Sequence, residues 1–426
     1  MFDRNRAILY CDKSLVACLC LLIFCLPFSK ASSETFTWLA VFLWLLKRTL
    51  GYRSEVLWGI FPKTVLNKSI SVLFLANAAS VIFCSKLSLF FRGLFGKELK
   101  FILIYFMLAE VISNKKRLLG ILITIIASAL LLTADAAVQY YAGRDFLRGC
   151  RLDTFCASFF AASGFAGWLI VIIPVLLGVL LADIITNRKI RFLLFADIII
   201  LSLYLIRTYS RGAWIGFFIA ILIIAFYYTK NFNFITKATL LITGVSLIAL
   251  FLLLLSILSP QVKYNILTKF KFSQDINIRI KSIPQMRSGS NLERARLWKE
   301  SLRIIRDYPL VGCGLNNYSI VARNYKSFEG GGVYPHNSFL QKTAETGIFG
   351  LMAFLFVLFS YFKAGFCYLN KKMNYLVLCL LSGIIAFLVQ SFFDTNLYSL
   401  QMVILFWYML GFTIAVIRLD YGDKIL

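Results

Sequence analysis

Apolar runs of about twenty residues recur from one end of this chain to the other, separated by short clusters of Lys and Arg, and that alternation leaves few folds open. Such a run crosses a hydrocarbon core as an α-helix, because without water every backbone N–H and C=O must bond inside the segment. A soluble globular chain holds roughly 45–50% apolar and about 25% charged residues; this one holds 60% and 15%. A β-barrel would show short alternating segments instead. The pattern predicts an all-α polytopic membrane protein.

Reading the runs between charge clusters predicts about twelve helices, at 14–28, 34–46, 66–84, 99–112, 118–140, 160–184, 191–209, 212–229, 238–258, 341–362, 374–393 and 400–417. The chain then divides into 1–258 with nine transmembrane helices and short loops, 259–340 as one large extramembrane loop, and 341–426 with three transmembrane helices and a cytoplasmic C-terminus. Arg4, Arg6 and Lys13 precede an apolar run ending near Phe28, as in a signal peptide. Further spans follow at once, so an uncleaved first helix is the reading.

Orientation follows from the excess of Lys and Arg on cytoplasmic loops. With the N-terminus inside, Lys47, Arg48, Arg53 and Lys63, then Lys115, Lys116 and Arg117, then Arg188, Lys189 and Arg191 all fall on that side. Lys230, Lys237, Lys363, Lys371, Lys372, Arg418 and Lys424 continue the series. Basic residues on the other side therefore need a separate reason. The connection 85–98 mixes Lys86, Arg92 and Lys97 with Phe90, Phe91 and Phe95, which predicts an amphipathic helix in the outer interface. The connection 141–159 carries Arg144, Arg148 and Arg151, and Arg211 lies where the seventh span meets the eighth. The large loop holds thirteen Lys and Arg against five Asp and Glu. The net charge of +25 would suggest nucleic acid in a soluble protein; here an anionic ligand on the outer face, and membrane lipids, are the expected partners.

His336 is the sole histidine, and its ordinary pKa near 6.5 suits a general base at neutral pH. The plain alternative is a polar residue at a helix entrance capped by Asn337 or Ser338. Arg211, in Ser210-Arg211-Gly212-Ala213-Trp214, has a guanidinium fork that fits a phosphate; snorkelling at a helix end is its ordinary role. Glu293-Arg294-Ala295-Arg296-Leu297-Trp298 opens a helical stretch over 291–307 that puts Arg294, Trp298 and Leu302 on one face. Asp394 reads first as a cap and second as a partner for a site arginine. Cys150 and Cys156 have the sequence spacing of a small outer disulfide. No acidic pair has metal-ligand spacing and His336 has no histidine partner, so neither metal nor other cofactor is expected.

These segments resemble the O-antigen ligase and polymerase superfamily, membrane glycosyltransferases that use polyprenyl-pyrophosphate-linked glycans. The family's tail motif is His, then Asn, Ser or Gln, nine residues, Gly, two residues, then Gly, Thr or Tyr; His336-Asn337, Gly347 and Gly350 match it in full. Ser210-Arg211-Gly212 is similar to the family's Ser-Arg-Gly segment, and Arg294 through Pro309-Leu310-Val311-Gly312-Cys313-Gly314 resembles its arginine-to-tryptophan helix followed by Pro-Leu-x-Gly-x-Gly. The stretch 145–167 is a fainter echo that lacks Asn-Pro near Ser163-Gly164, so Arg148 and Arg151 carry over weakly. The resemblance spans roughly 140–355. It implies a C-type membrane glycosyltransferase fold with a periplasmic loop, and an inner-membrane enzyme whose site faces the periplasm. The donor would be an undecaprenyl-pyrophosphate-linked glycan, the acceptor lipid A–core, and the reaction inverting and metal-independent, with no nucleic acid involved. His336 would be the base, Arg211, Arg294, Arg148 and Arg151 the pyrophosphate ligands, and Asn337, Arg296, Trp298, Gly347, Gly350 and Asp394 the support. A polymerase joining lipid-linked repeat units, and a transporter of lipid-linked glycans, are the alternatives.

Overall fold

The computed structural model describes residues 4–51, 61–147, 155–159, 161–229, 289–326 and 334–421. The predicted span 238–258, most of the first half of the loop 259–340, Cys150, Arg148 and Arg151 lie outside these residues. Among the described residues the protein is all-helical and has no strand. Contacts divide the chain into two units, 1–220 with 293–426, and 221–292. In the second, only the last residues of α9 and the first of α10 are described.

The helices are α1 (Arg4–Cys25), α2 (Lys30–Gly51), α3 (Asn67–Ala79, prolonged by a 3-10 turn Ser80–Phe83), α4 (Leu87–Gly93), α5 (Lys100–Val111), α6 (Lys115–Ala142), α7 (Ala162–Leu181), α8 (Arg188–Arg207), α9 (Arg211–Tyr228), α10 (Gly289–Asp307), α11 (Tyr318–Val321), α12 (Ser338–Lys371), α13 (Tyr375–Ser391) and α14 (Leu400–Tyr421). Six of them, α1, α6, α7, α9, α12 and α14, are long and apolar enough to cross a membrane unaided. The chain is thus a multi-pass membrane protein. Eleven of the predicted apolar segments fall on helices; α3 and α13 are apolar but shorter.

One predicted element is corrected. The segment 85–98 is helical and amphipathic, but it is not separate from the next span: α4 runs through a π-turn, Leu94–Leu99, into α5. Three charges at this junction have partners. Lys97 Nζ donates to Asn316 Oδ1 at 2.7 Å, Glu98 accepts from Lys342 Nζ at 2.8 Å, and Lys100 reaches Glu34 at 2.6 Å. Phe90 and Leu94 are buried against Leu315, while Phe91 and Phe95 stay exposed.

Close helix approach is set by small residues, as membrane packing requires. In the α7–α13 pair, a Cβ on Gly178 would lie 2.9 Å from Cys379 Cβ, and one on Gly383 3.1 Å from Val171 O. At one end of the bundle a charge network ties four helices. Lys47 bridges Asp12 and, at 2.9 Å, Glu110; Arg48 also holds Glu110, and Arg117 holds Asp12. Arg418 Nη1 donates to Ala109 O at 2.8 Å, bringing the end of α14 to the same place. That is the end to which the basic-loop rule assigns the cytoplasm. The starts of α7, α9, α12 and α14 therefore lie at the opposite end, and the site is there.

Candidate active site

The entrance to α12 is built residue by residue. Pro335 fixes the approach, His336 adopts a left-handed backbone (φ +48°), and Asn337 caps the helix by accepting from the N–H groups of Phe339 and Leu340, both at 3.0 Å. A non-glycine residue at positive φ stores strain that its surroundings must hold. Here Trp298 of α10 holds it, its Nε1–H donating to Pro335 O at 2.8 Å. The His336 side chain is 44% exposed, so one edge of the ring is open.

The other edge faces the turn between α13 and α14, where Phe393-Asp394 collects the site. His336 Nδ1 lies 3.7 Å from Asp394 Oδ1, an electrostatic contact longer than a hydrogen bond. Ser338 fastens the turn to α12 through its N–H and hydroxyl, which donate to Asp394 O at 3.1 and 2.9 Å. Arg294 Nη1 donates to Phe393 O at 2.7 Å. Gly212, beside Arg211 at the start of α9, packs so tightly that a Cβ there would lie 2.9 Å from Phe393 Cβ. His336, Arg294 and the first turn of α9, which carries Arg211, come from three distant stretches and meet around two residues. Burial pushes the Asp394 carboxyl up, but His336, the Thr395 N–H and Ser163 together outweigh it and hold its pKa below the ordinary aspartate value. It stands as an anion beside the imidazole.

Below this entrance α12 is broken. Gly347 sits at φ +65°, ψ −171°, which interrupts the helical ladder. The interrupted bonds are those of the Ala344 and Glu345 carbonyls with the N–H groups of Ile348 and Phe349. The segment Pro309–Gly314 replaces them all. Cys313 N–H donates to Ala344 O at 2.9 Å and Gly314 N–H to Glu345 O at 3.0 Å, while Ile348 and Phe349 N–H donate to Pro309 and Leu310 O at 2.9 and 3.2 Å. These four backbone groups in the break are satisfied, which an apolar setting demands. The lacing leaves no room for side chains: a Cβ on Gly347 would lie 2.1 Å from Leu310 O, and one on Gly312 (φ +75°) 2.3 Å from the Glu345 carbonyl carbon. The buried Glu345 carboxylate fixes the next turn, accepting from Asn316 N–H at 2.9 Å and from Gln341 Nε2 at 3.3 Å. The Pro-Leu-x-Gly-x-Gly segment and the two tail glycines are thus parts of one joint.

The sequence-predicted site residues sort clearly. His336, Arg294, Asn337, Trp298 and Asp394 converge, and Arg211 begins the helix whose Gly212 packs on Phe393. Asp394 caps locally as expected, accepting from Thr395 N–H at 2.8 Å, but in place of an arginine its carboxylate faces His336, Arg294 taking the neighbouring carbonyl. Arg296 pairs with Glu300 at 3.8 Å on its own helix. Gly347 and Gly350 shape α12 three to four turns beyond His336. The sequence offers Ser338 only as a cap and gives no sign of Phe393 or Ser163; these act through backbone groups or a small hydroxyl. Nor does the sequence show how α6 seats the connection 143–159: Asp135 accepts from Ser158 Oγ at 2.6 Å, and Gln139 Oε1 from the N–H groups of Cys156 and Ala157 at 3.2 and 2.6 Å.

Residues 196–355 match the family model described as O-antigen ligase. The match runs from α8 through the joint in α12, contains Arg211, Arg294 and His336, and supports the superfamily that the three motifs resemble. None of the curated proteins matches the chain.

Proposed function

We propose, with the O-antigen ligase superfamily as premise, that this protein is an inverting glycosyltransferase that moves a glycan from undecaprenyl pyrophosphate to a sugar hydroxyl of lipid A–core. The observation that supports the reading is the convergence of His336, Arg294 and the start of α9, where Arg211 lies in sequence, on the Phe393–Asp394 turn, at the end of the bundle opposite the basic loops. In this reading the chain crosses an inner membrane about twelve times, with 259–340 as the large periplasmic loop.

The chemistry follows from the positions. Asp394 accepts from Nδ1–H once substrate closes the 3.7 Å gap, which leaves Nε2 as the basic nitrogen. Nε2 takes the acceptor hydroxyl proton as that oxygen bonds to the anomeric carbon and the carbon–oxygen bond to pyrophosphate breaks. Attack from the face opposite the leaving group inverts the centre. The ionised Asp394 stabilises the imidazolium that forms, as in other carboxylate–histidine pairs. Arg294 and Arg211, with Arg148 and Arg151 as further ligands, neutralise the departing diphosphate in a partly dry site. Four guanidinium groups supply the charge that a divalent cation supplies elsewhere, so transfer proceeds in a chelator.

The test is reconstitution. Purified protein in liposomes receives a short polyprenyl-pyrophosphate glycan with and without lipid A–core, in excess EDTA, and products are read by gel and mass spectrometry. A single transfer that needs lipid A–core is the expected result. A ladder of lengthening glycans without that acceptor identifies a polymerase. Glycolipid that crosses the bilayer unchanged, with no product, overturns the enzymatic reading.

A further inference from the structure

Basic residues that the site does not use gather on another arc of α10. Lys299, Arg303 and Arg306 repeat at i, i+4 and i+7, all exposed, while Leu297, Ser301 and Ile304 are buried on the inner side. Arg323, also exposed, is brought alongside by the Tyr325 hydroxyl, which donates to Asp307 Oδ2 at 2.7 Å. Among the described residues the one carboxylate on this surface is Asp307, held by Tyr325 and by Arg306 at 3.3 Å. Such an excess of unopposed cations on a structured surface attracts an anionic partner.

The apolar neighbours say which partner. Leu302 is 55% exposed at the edge of the basic arc, and Leu310 is 56% exposed just beyond the helix. Leu310 and Pro309 hydrogen-bond to Phe349 and Ile348 of α12, two exposed apolar residues on a helix long enough to cross the membrane. Tyr308 meets Phe83, at the end of the apolar α3 segment, with ring centroids 5.8 Å apart. The C-terminal end of α10 therefore reaches the depth of lipid-facing side chains, and its cations sit directly above. A soluble polyanion would need only the charges. A surface with cations over exposed leucines fits phospholipid headgroups above acyl chains.

We propose that Lys299, Arg303, Arg306 and Arg323 form a docking surface for anionic phospholipid headgroups of the leaflet on the site side. The same helix carries Arg294 and Trp298, so seating it on the headgroups sets the height of the clamp and of the His336 turn above the bilayer. The inference rests on the membrane reading of the chain and is independent of the reaction assigned above.

Hydrogen exchange of the full chain in lipid nanodiscs tests it without any transfer assay. In discs rich in phosphatidylglycerol, amides of 299–310 and 318–326 are expected to exchange about tenfold more slowly than in discs of phosphatidylcholine alone, an effect equal to one or two such charges near an anionic surface. The variant K299Q/R303Q/R306Q/R323Q should lose that difference while 375–391 stays protected, which shows that the fold survives. Protection that ignores lipid charge, or persists in the variant, overturns the proposal. So does equal protection by inorganic pyrophosphate in uncharged discs, which would mark a soluble-anion site.

Discussion

The joint in α12 makes the sharpest claim about stability, and Gly347→Ala tests it. An added Cβ would lie 2.1 Å from Leu310 O, 2.2 Å from its carbonyl carbon and 2.5 Å from Val311 N. Backbone cannot yield as a flexible side chain does, so the Pro309–Gly314 segment must lift away. The left-handed φ adds about 1–3 kcal/mol of strain for alanine. The four lacing hydrogen bonds are each worth about 1 kcal/mol net, so their loss with the strain comes to about 5–7 kcal/mol. A single substitution above about 4–5 kcal/mol is exceptional. Equilibrium unfolding in mixed micelles, followed by tryptophan fluorescence, measures it. Gly120→Ala is the control, since nothing lies within 4 Å of a Cβ there, and alanine in a helix interior should be neutral or stabilising by up to about 1 kcal/mol. A Gly347→Ala protein as stable as this control would refute the lacing.

Further expectations follow from the same geometry. Trp298→Phe keeps the ring but removes the donor to Pro335 O, so transfer should fall about tenfold or more with the expressed, folded fraction unchanged, read as kcat in liposomes. Asp394 has a depressed pKa, so its contribution to stability is present above the ordinary aspartate value of about 3.9 and lost as pH falls through the lower folded value; acid unfolding curves of wild type and Asp394→Asn should differ above about pH 4 and converge below it. Gln139→Leu strands the N–H groups of Cys156 and Ala157, which should cost about 2–5 kcal/mol and expose the connection 143–159 to limited proteolysis.

Most helices were legible because an apolar run has one stable form in a bilayer. The continuity of 85–98 with α5 was hidden for a physical reason: Lys97, Glu98 and Lys100 look like loop charges until Asn316, Lys342 and Glu34 are seen beside them. Those partners lie 66 to 244 residues away. The break at Gly347 was equally hidden, because apolar periodicity continues through it. Its trace in the sequence was split between Gly312 and Gly314 on one side and Gly347 on the other. His336 and Arg294 were legible from residue chemistry and motif spacing. The organising role of Phe393 was not, since any residue at that position supplies a carbonyl. Asp394 stood out as an acid at a helix connection, yet a carboxylate suits an arginine and a histidine alike; only the packing of Ser338 against Asp394 O decides between them.

The most direct test of the account is the single-turnover rate of glycan transfer by reconstituted wild type and His336→Gln, at saturating donor and acceptor. Glutamine keeps a polar side chain at the α12 entrance but cannot take up the hydroxyl proton. The account expects a fall of about 10²–10⁴-fold, with donor binding and the unfolding curve unchanged. A His336→Gln protein that transfers at the wild-type rate would contradict it.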